Sequence, residues 1–495
     1  MIAPAARYPA RVSQRALVPR SRSAGTAAAF GLAFLSLTAG CEASSLDPRA
    51  RLVASVTAEA DEPLIRTRPA LVASKYAAMR ASVFAFYRGS FPLFLHDARF
   101  GDAGRTRFTV EGLFPLGVGD AHPENFGALL ASDGTFGLEP NDFDGADRYP
   151  WVWQLRRLTI GMVLAARSAG VGGEGDIVRA TASAYAEGIA AYATGAPRER
   201  VEGAADPVLA DLFERAVEDL EARSELAEDT VIDANGARRL LRGAFDDGQK
   251  FLEDAPEVVQ GALPAMLSTY RSSLLSPPPA GELAIKDVAR EYGAGVASLA
   301  RVRFLVLVEG PTAGNDDDAL LEVKEIADSG AGGFGAPGFA ADSPGDRVTG
   351  ISRRVWARPD ASPRWGTSEL LGFTVQIRPE IAGEKGVKLK RLEGDRATPE
   401  ALSALGSTLG RLLARLDARG SDEATLDAIA SVIGADVPGF VEEQASASVA
   451  YADVVDGDWK RFGEALDALG PRLGIPVDPA DAPGAEVAAI FGAPP

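Results

Sequence analysis

The spacing of apolar residues divides the chain into helix-like and strand-like stretches. Leu402, Leu405, Leu409, Leu412 and Leu416 recur at intervals of three and four, which predicts an amphipathic helix. Leu71, Met79, Val83, Phe86 and Phe91 predict an earlier helix packed on one face and ending near Gly89. Residues 151–195 are Ala-rich with helical spacing, and 205–272 continue as helices rich in charge. Residues 113–145 read as strand, loop, strand, turn, strand. Val302, Phe304, Val306 and Val308 then alternate with other residues as a strand does, and a second strand is expected over 319–326, across a loop from Gly310 to Asp318. Residues 329–346 are Gly-, Ala- and Asp-rich and predict a loop. The run Ser276, Pro277, Pro278, Pro279 breaks the pattern and marks an internal boundary. The expectation is an α+β, helix-rich chain: a helical lobe over 67–275, a β-rich lobe over 281–390 and a C-terminal helical region over 391–495.

The N-terminus follows a different pattern. Arg7, Arg11, Arg15, Arg20 and Arg22 precede an apolar stretch running roughly from Ala27 to Leu37, and Leu37, Thr38, Ala39, Gly40, Cys41 close it. The apolar stretch is too short to span a bilayer. It resembles a bacterial lipoprotein signal, which implies removal of residues 1–40, lipidation of Cys41 and an extracytoplasmic protein held at the membrane by its lipid anchor. Residues 41–66, polar and without clear period, read as a tether. Cys41 is the only cysteine, so the remaining chain has neither disulfides nor cysteine metal sites. Net charge is −18, and about −23 once the leader is removed. So acidic a body repels phosphate backbones, which excludes nucleic acid as a partner.

The chemistry concentrates in Gly119, Asp120, Ala121, His122, Pro123, Glu124, Asn125 and, further on, Asn141, Asp142, Phe143, Asp144. Between them Asp133-Gly134 predicts a two-residue hairpin turn, which sets Asn125 opposite Asp142 at the open end. An amide oxygen and a carboxylate there suit a hard cation such as Mg²⁺.

The segment resembles the catalytic loop of the aminoglycoside phosphotransferase branch of kinase-like enzymes, a pattern close to GDxHxxN followed by DF. That resemblance implies Asp120 as the base for an acceptor hydroxyl, Asn125 and Asp142 as metal ligands with Asp144 in support, and His122 as a residue ordering the loop. It also implies a two-lobed, kinase-like architecture with Mg²⁺ and ATP. More broadly, residues 75–462 resemble the bacterial domain-of-unknown-function family 2252. The resemblance rests on MRASVFAFYRG (79–89), GDAHPENFG (119–127), NDFD (141–144), WVWQLRR (151–157), GVASLARVRFLVLVEG (295–310), LEVKEI (321–326) and Tyr451-Ala452-Asp453.

Several residues depart from these patterns. In the glycine-rich stretch beginning at Gly295, Ala297 and Ala300 replace glycines, so the backbone approaches a phosphate less closely. Gln154 stands where the family usually has an acid, and Asp417 where a histidine is common. Lys324 resembles the kinase lysine that holds phosphates, yet it follows the acidic loop in the chain instead of preceding it. Either the fold is permuted relative to kinases or Lys324 has another task. Arg88, beside Gly89, is a candidate anion-holding group or half of a structural ion pair.

Two readings follow. One is phosphoryl transfer from a nucleotide to a hydroxyl on a small molecule or protein. The other is a non-catalytic, lipid-anchored binding protein, favoured by the scarcity of ATP outside the cytoplasm. A binuclear phosphoesterase usually needs three or more histidine ligands, and the chain has His96 and His122 alone. Serine-hydrolase GxSxG and zincin HExxH motifs are missing.

Overall fold

The structure is a computed structural model and describes residues 46–109, 112–203, 206–244, 250–330 and 338–470. The leader and Cys41 lie outside the described residues. The first helix, α1 (Pro48–Ala60), occupies what the sequence suggested was tether. Asp47 caps it by accepting from Ala50 N at 2.8 Å, and Pro48 fills the first turn, where no N–H is needed. Ala50, Val53, Ala54 and Thr57 form a stripe of small side chains that is buried. One valine among alanines and a threonine carries little hydrophobic signal, which is why the helix was hidden. Arg49 fixes its position, bridging Asp97 and Asp458.

The helix expected over 71–91 divides into Pro69–Arg80 and α2 (Val83–Gly89), because Ser82 turns extended and caps the second by accepting from Ala85 N. The stretch 205–272 is not helical throughout. Helices Pro207–Ala222 and Ser224–Asp229 are followed by short strands before Glu257–Ser273 resumes.

Strands β1 (Phe126–Leu130) and β2 (Phe136–Pro140) form the expected hairpin, shifted by one residue. Phe126 faces Pro140 and Leu130 faces Phe136. Ala131 N donates to Thr135 O, so the loop holds three residues, 132–134, with Gly134 at φ +80°. Asp133 accepts from Thr135 N and Oγ1, which stabilises this wider turn over the two-residue one. Asn125 therefore stands beside Asn141, whose N–H it accepts at 3.1 Å, and not opposite Asp142.

Helix α3 (Trp151–Ser168) is buried along nearly its whole length. Around it pack α4 (Glu174–Ala193) and the C-terminal helices α6 (Pro399–Gly420) and α7 (Val437–Leu469), the last also covering α1. The C-terminal helices thus complete the N-terminal helical lobe. Gly410 lets α6 and α4 meet closely, since a Cβ there would lie 2.2 Å from Thr181 O.

The β-rich lobe is one antiparallel sheet of β3 (Gly243–Ala244), β4 (Phe251–Asp254), β5 (Ile285–Tyr292), β6 (Arg303–Val308), β7 (Ala319–Glu325), β8 (Gly366–Leu370) and β9 (Phe373–Pro379). The order is β8-β9-β7-β6-β5-β4-β3. Two of these strands precede the proline run, so the sheet draws on both sides of that boundary. Helix α5 (Pro344–Val355) connects β7 to β8 and begins inside the stretch expected to be loop. Phe304, Val306, Val308, Leu321, Val323 and Ile377 face the main core. The opposite face, one residue out of phase, holds Leu305, Leu307 and Leu320 in a small second cluster, then turns polar at Arg303, Glu322 and Lys324. No single described helix is long and apolar enough to cross a membrane.

Candidate functional site

The polar end of the sheet faces the acidic loop. Gly119 opens that loop at φ +78°, where a Cβ would lie 2.2 Å from Gly145 O, so the turn requires glycine. Asp120 follows. Its Oδ1 accepts from Arg157 Nε at 2.7 Å, and Arg157 has no exposed surface. The guanidinium lies over the Tyr87 ring, 3.5 Å from its centroid, and donates to Tyr87 O at 2.6 Å. Burial raises the Asp120 pKa; Arg157 opposes the rise, and the neighbouring Asp142 charge adds to it. Oδ2 of Asp120 lies 3.8 Å from His122 Nε2.

His122 is buried edge-on against Phe84 at 5.8 Å. Burial, with the charges of Arg88, Arg157 and Lys388, holds its pKa far below the ordinary histidine value, so it is neutral. It is a wall under Asp120, in keeping with loop ordering. Asn125 donates from Nδ2 to Asp120 O at 2.8 Å, which ties the two ends of the loop together.

Phe143 anchors the second acidic segment, with its ring edge-to-face on Trp356 and Trp365. Asp142 and Asp144 flank it and meet Lys324. Nζ is 2.8 Å from Asp144 Oδ1 and 3.6 Å from Asp142 Oδ1. Burial alone would raise Asp142, but Lys324, the Asp144 N–H, Arg378 and Arg303 outweigh it and hold the group low. Asp144 is pushed up by burial and by Asp142, against Lys324 and Arg301. One carboxylate of the pair is thus firmly ionised and its neighbour is poised.

Among the described residues no three His, Cys, Asp or Glu side chains converge as a metal site. Two carboxylates plus the Asn125 amide oxygen nevertheless suit Mg²⁺, which commonly takes one or two protein carboxylates and leaves its other positions to water and phosphate. Asp144 Oδ1 is already 2.8 Å from Lys324 Nζ, so a cation held there would share that oxygen with the lysine.

Gly295 lies in the loop between β5 and β6, at φ +74° and exposed. The loop is fastened near Lys324: Arg303, paired with Lys324 across β6 and β7, donates to Ser298 Oγ at 3.0 Å. Its Leu299 and Arg301 N–H groups donate to Val296 O and Ser298 O, and Ala300 is packed in the core. Fewer backbone donors therefore point outward than a glycine loop could offer. Arg88 does not stand alone either; its Nη1 is 2.6 Å from Glu124 Oε2.

Residues that the motif did not point to complete the site. Arg157 holds Asp120. Arg378 donates from Nε to Glu322 Oε1 at 3.0 Å and from Nη1 to Asn141 O at 3.2 Å, joining sheet to loop. Arg347 on α5 donates to Asp144 O at 3.0 Å and Ala327 O at 2.8 Å. Arg156 and Arg157 in the middle of an apolar helical run were the available signal, because an arginine on a buried face needs a specific partner. Arg347 and Arg378 had none, since their partners are backbone oxygens and an acid far away in the chain.

The family model described as an uncharacterized protein conserved in bacteria (DUF2252) matches residues 66–465. The chain belongs to this family. No curated protein and no solved structure matches it. Gln154 and Asp417 form one buried contact: Gln154 Nε2 donates to Asp417 Oδ1 at 3.0 Å, and Tyr185 Oη donates to Asp417 Oδ2 at 2.7 Å. The contact ties three helices together away from Asp120.

Proposed function

We propose that this chain is a kinase-like phosphotransferase that moves a phosphoryl group from a nucleotide to a hydroxyl acceptor. The observation that carries the reading is the meeting of Lys324, from the sheet, with Asp142 and Asp144, beside Asp120. Residues nearly two hundred positions apart supply a phosphate-holding cation, cation-binding carboxylates and a base, whichever order the chain takes.

Asn125, Asp142 and Asp144 would hold Mg²⁺, whose charge would offset that on the phosphates. Arg157 fixes Oδ1 of Asp120, leaving Oδ2 to receive the acceptor proton. The acceptor oxygen forms its bond to the γ-phosphorus as the bond from phosphorus to the bridging oxygen breaks, and the diphosphate leaves with that electron pair. Lys324 stabilises the negative charge of the phosphates and keeps Asp142 and Asp144 from repelling one another when no cation is bound.

The test is ADP release by the purified chain with Mg²⁺ and ATP, compared with Asp120→Asn. Turnover should disappear while the unfolding midpoint stays within a few degrees of wild type. Equal ADP release from both proteins would remove Asp120 from the mechanism.

The internally bonded glycine loop favours a second reading, a protein that binds Mg²⁺ and nucleotide without turnover. Under either reading we propose lipid anchoring at Cys41 outside the cytoplasm. Cys41→Ser should move the protein from the membrane to the soluble fraction; unchanged fractionation would refute the anchor.

A further inference from the structure

The wall of the site nearest Asp120 is cationic in a chain of net charge −18. A short extended segment, 385–388, runs antiparallel beside β1. Ala128 N donates to Lys385 O at 2.8 Å, Val387 N donates to Phe126 O at 2.9 Å, and Gly127 is bridged to Gly386. Lys388 follows directly, before the turn Leu389–Arg391. Glycine is required at position 127, and space is tight at Gly386. A Cβ on Gly127 would lie 2.4 Å from Lys385 O, and one on Gly386 would crowd the Asn141 amide at 3.3 Å.

Glu124 locks the arrangement. Its Oε1 accepts from Leu389 N at 2.8 Å while its Oε2 holds Arg88 Nη1 at 2.6 Å. One carboxylate thus sets two cations, Arg88 and Lys388, on the same side of the acidic loop. Among the described residues Arg88 uses only Nη1, and the Lys388 amine has no hydrogen-bond or ion-pair partner. Although the residue as a whole is exposed, packing around its stem and, against Glu124, the charges of Arg88, Lys390 and Arg378 push its pKa down. Glu124 offsets only part of that positive field.

From this geometry we infer that Arg88 and Lys388 form an anion subsite beside Asp120 that takes a phosphate monoester, and therefore that the hydroxyl acceptor carries a phosphate of its own. The assignment of the bound phosphate to an acceptor rests on the phosphotransfer reading; the anion subsite does not. A phosphate dianion matches two cations, and the free guanidinium donors of Arg88 suit its oxygens. A polycationic amino sugar, the acceptor class suggested by the loop motif, would meet repulsion at the same wall.

The test is calorimetric titration of inorganic phosphate into the full chain, with Mg²⁺ and ADP present, for wild type, Lys388→Met and Lys324→Met. Lys388 is exposed, so its variant should fold, which the unfolding midpoint checks. Lys388→Met should weaken phosphate binding by about tenfold or more, the scale of one lost charge-assisted contact. Lys324→Met should change phosphate affinity less than Lys388→Met does. No phosphate binding by wild type would overturn the proposal. So would loss in Lys324→Met with none in Lys388→Met, since the phosphate would then occupy the donor side. Acetate binding as tightly as phosphate would overturn the monoester assignment. If Mg²⁺ and ADP do not bind but phosphate binding still depends on Lys388, the subsite stands and the phosphotransfer reading falls.

Discussion

A guanidinium with no exposed surface stays charged only where the protein replaces its water. Arg157 has an acid on one edge, a backbone carbonyl on another and an aromatic face against it. Removing it would leave Asp120 buried without its counter-charge, so Arg157→Met should cost roughly 3–5 kcal/mol in urea unfolding, more than Asp120→Asn. An equal or smaller loss would mean that the pair is solvated. Asp417 behaves in the opposite sense, because its partners are neutral. Burial pushes its pKa up to about 8. The unfolded chain releases that proton near pH 4, so this group's contribution to stability falls as pH rises from about 4 to about 8 and is level above that. Asp417→Asn should therefore flatten the pH dependence of the midpoint and stabilise by roughly 2 kcal/mol at pH 8, with little effect at pH 4. A variant that loses stability at pH 8 would show that the ionised form is the one the fold prefers.

At the scale of elements, what could be read in advance depended on how much side-chain volume carried the pattern. The leucine ladder of α6 and the alternating valines of β6 were plain, because large apolar groups recur at one period. Helix α1 was missed because its buried stripe is nearly all small residues. Its attachment now makes a prediction that a tether would not: Arg49→Ala leaves Asp97 and Asp458 buried together and should lower the midpoint by several degrees. No change would return α1 to the role of a loose connection. The hairpin was legible and its register was not. Asp-Gly announces a turn, but whether the loop holds two residues or three depends on the contacts of Asp133 with Thr135, which spacing does not reveal. The slip sets Asn125 beside Asn141 and not opposite Asp142, and it is Lys324 that meets Asp142 and Asp144.

For the whole molecule, the two halves of the chain meet at a charged seam. The sheet contributes Lys324, Arg303 and Arg378, and the helical lobe contributes Asp120, Asn125, Asp142 and Asp144. The acid-loop motif was legible as a local string of residues. The cations that face it lie on strands and segments distant in sequence, with no spacing rule linking them to the motif, so only the fold could reveal them. The central claim is that this seam binds a nucleotide through a cation held by Asp142. The most direct measurement is thermal unfolding of residues 42–495 with Mg²⁺ and ATP, separately and together, for wild type and Asp142→Ala. A ligand bound only by the native state raises the midpoint by mass action. The account predicts a rise that needs both ligands in wild type and vanishes in the variant. An equal rise in Asp142→Ala, or no rise in wild type with both ligands present, would contradict it.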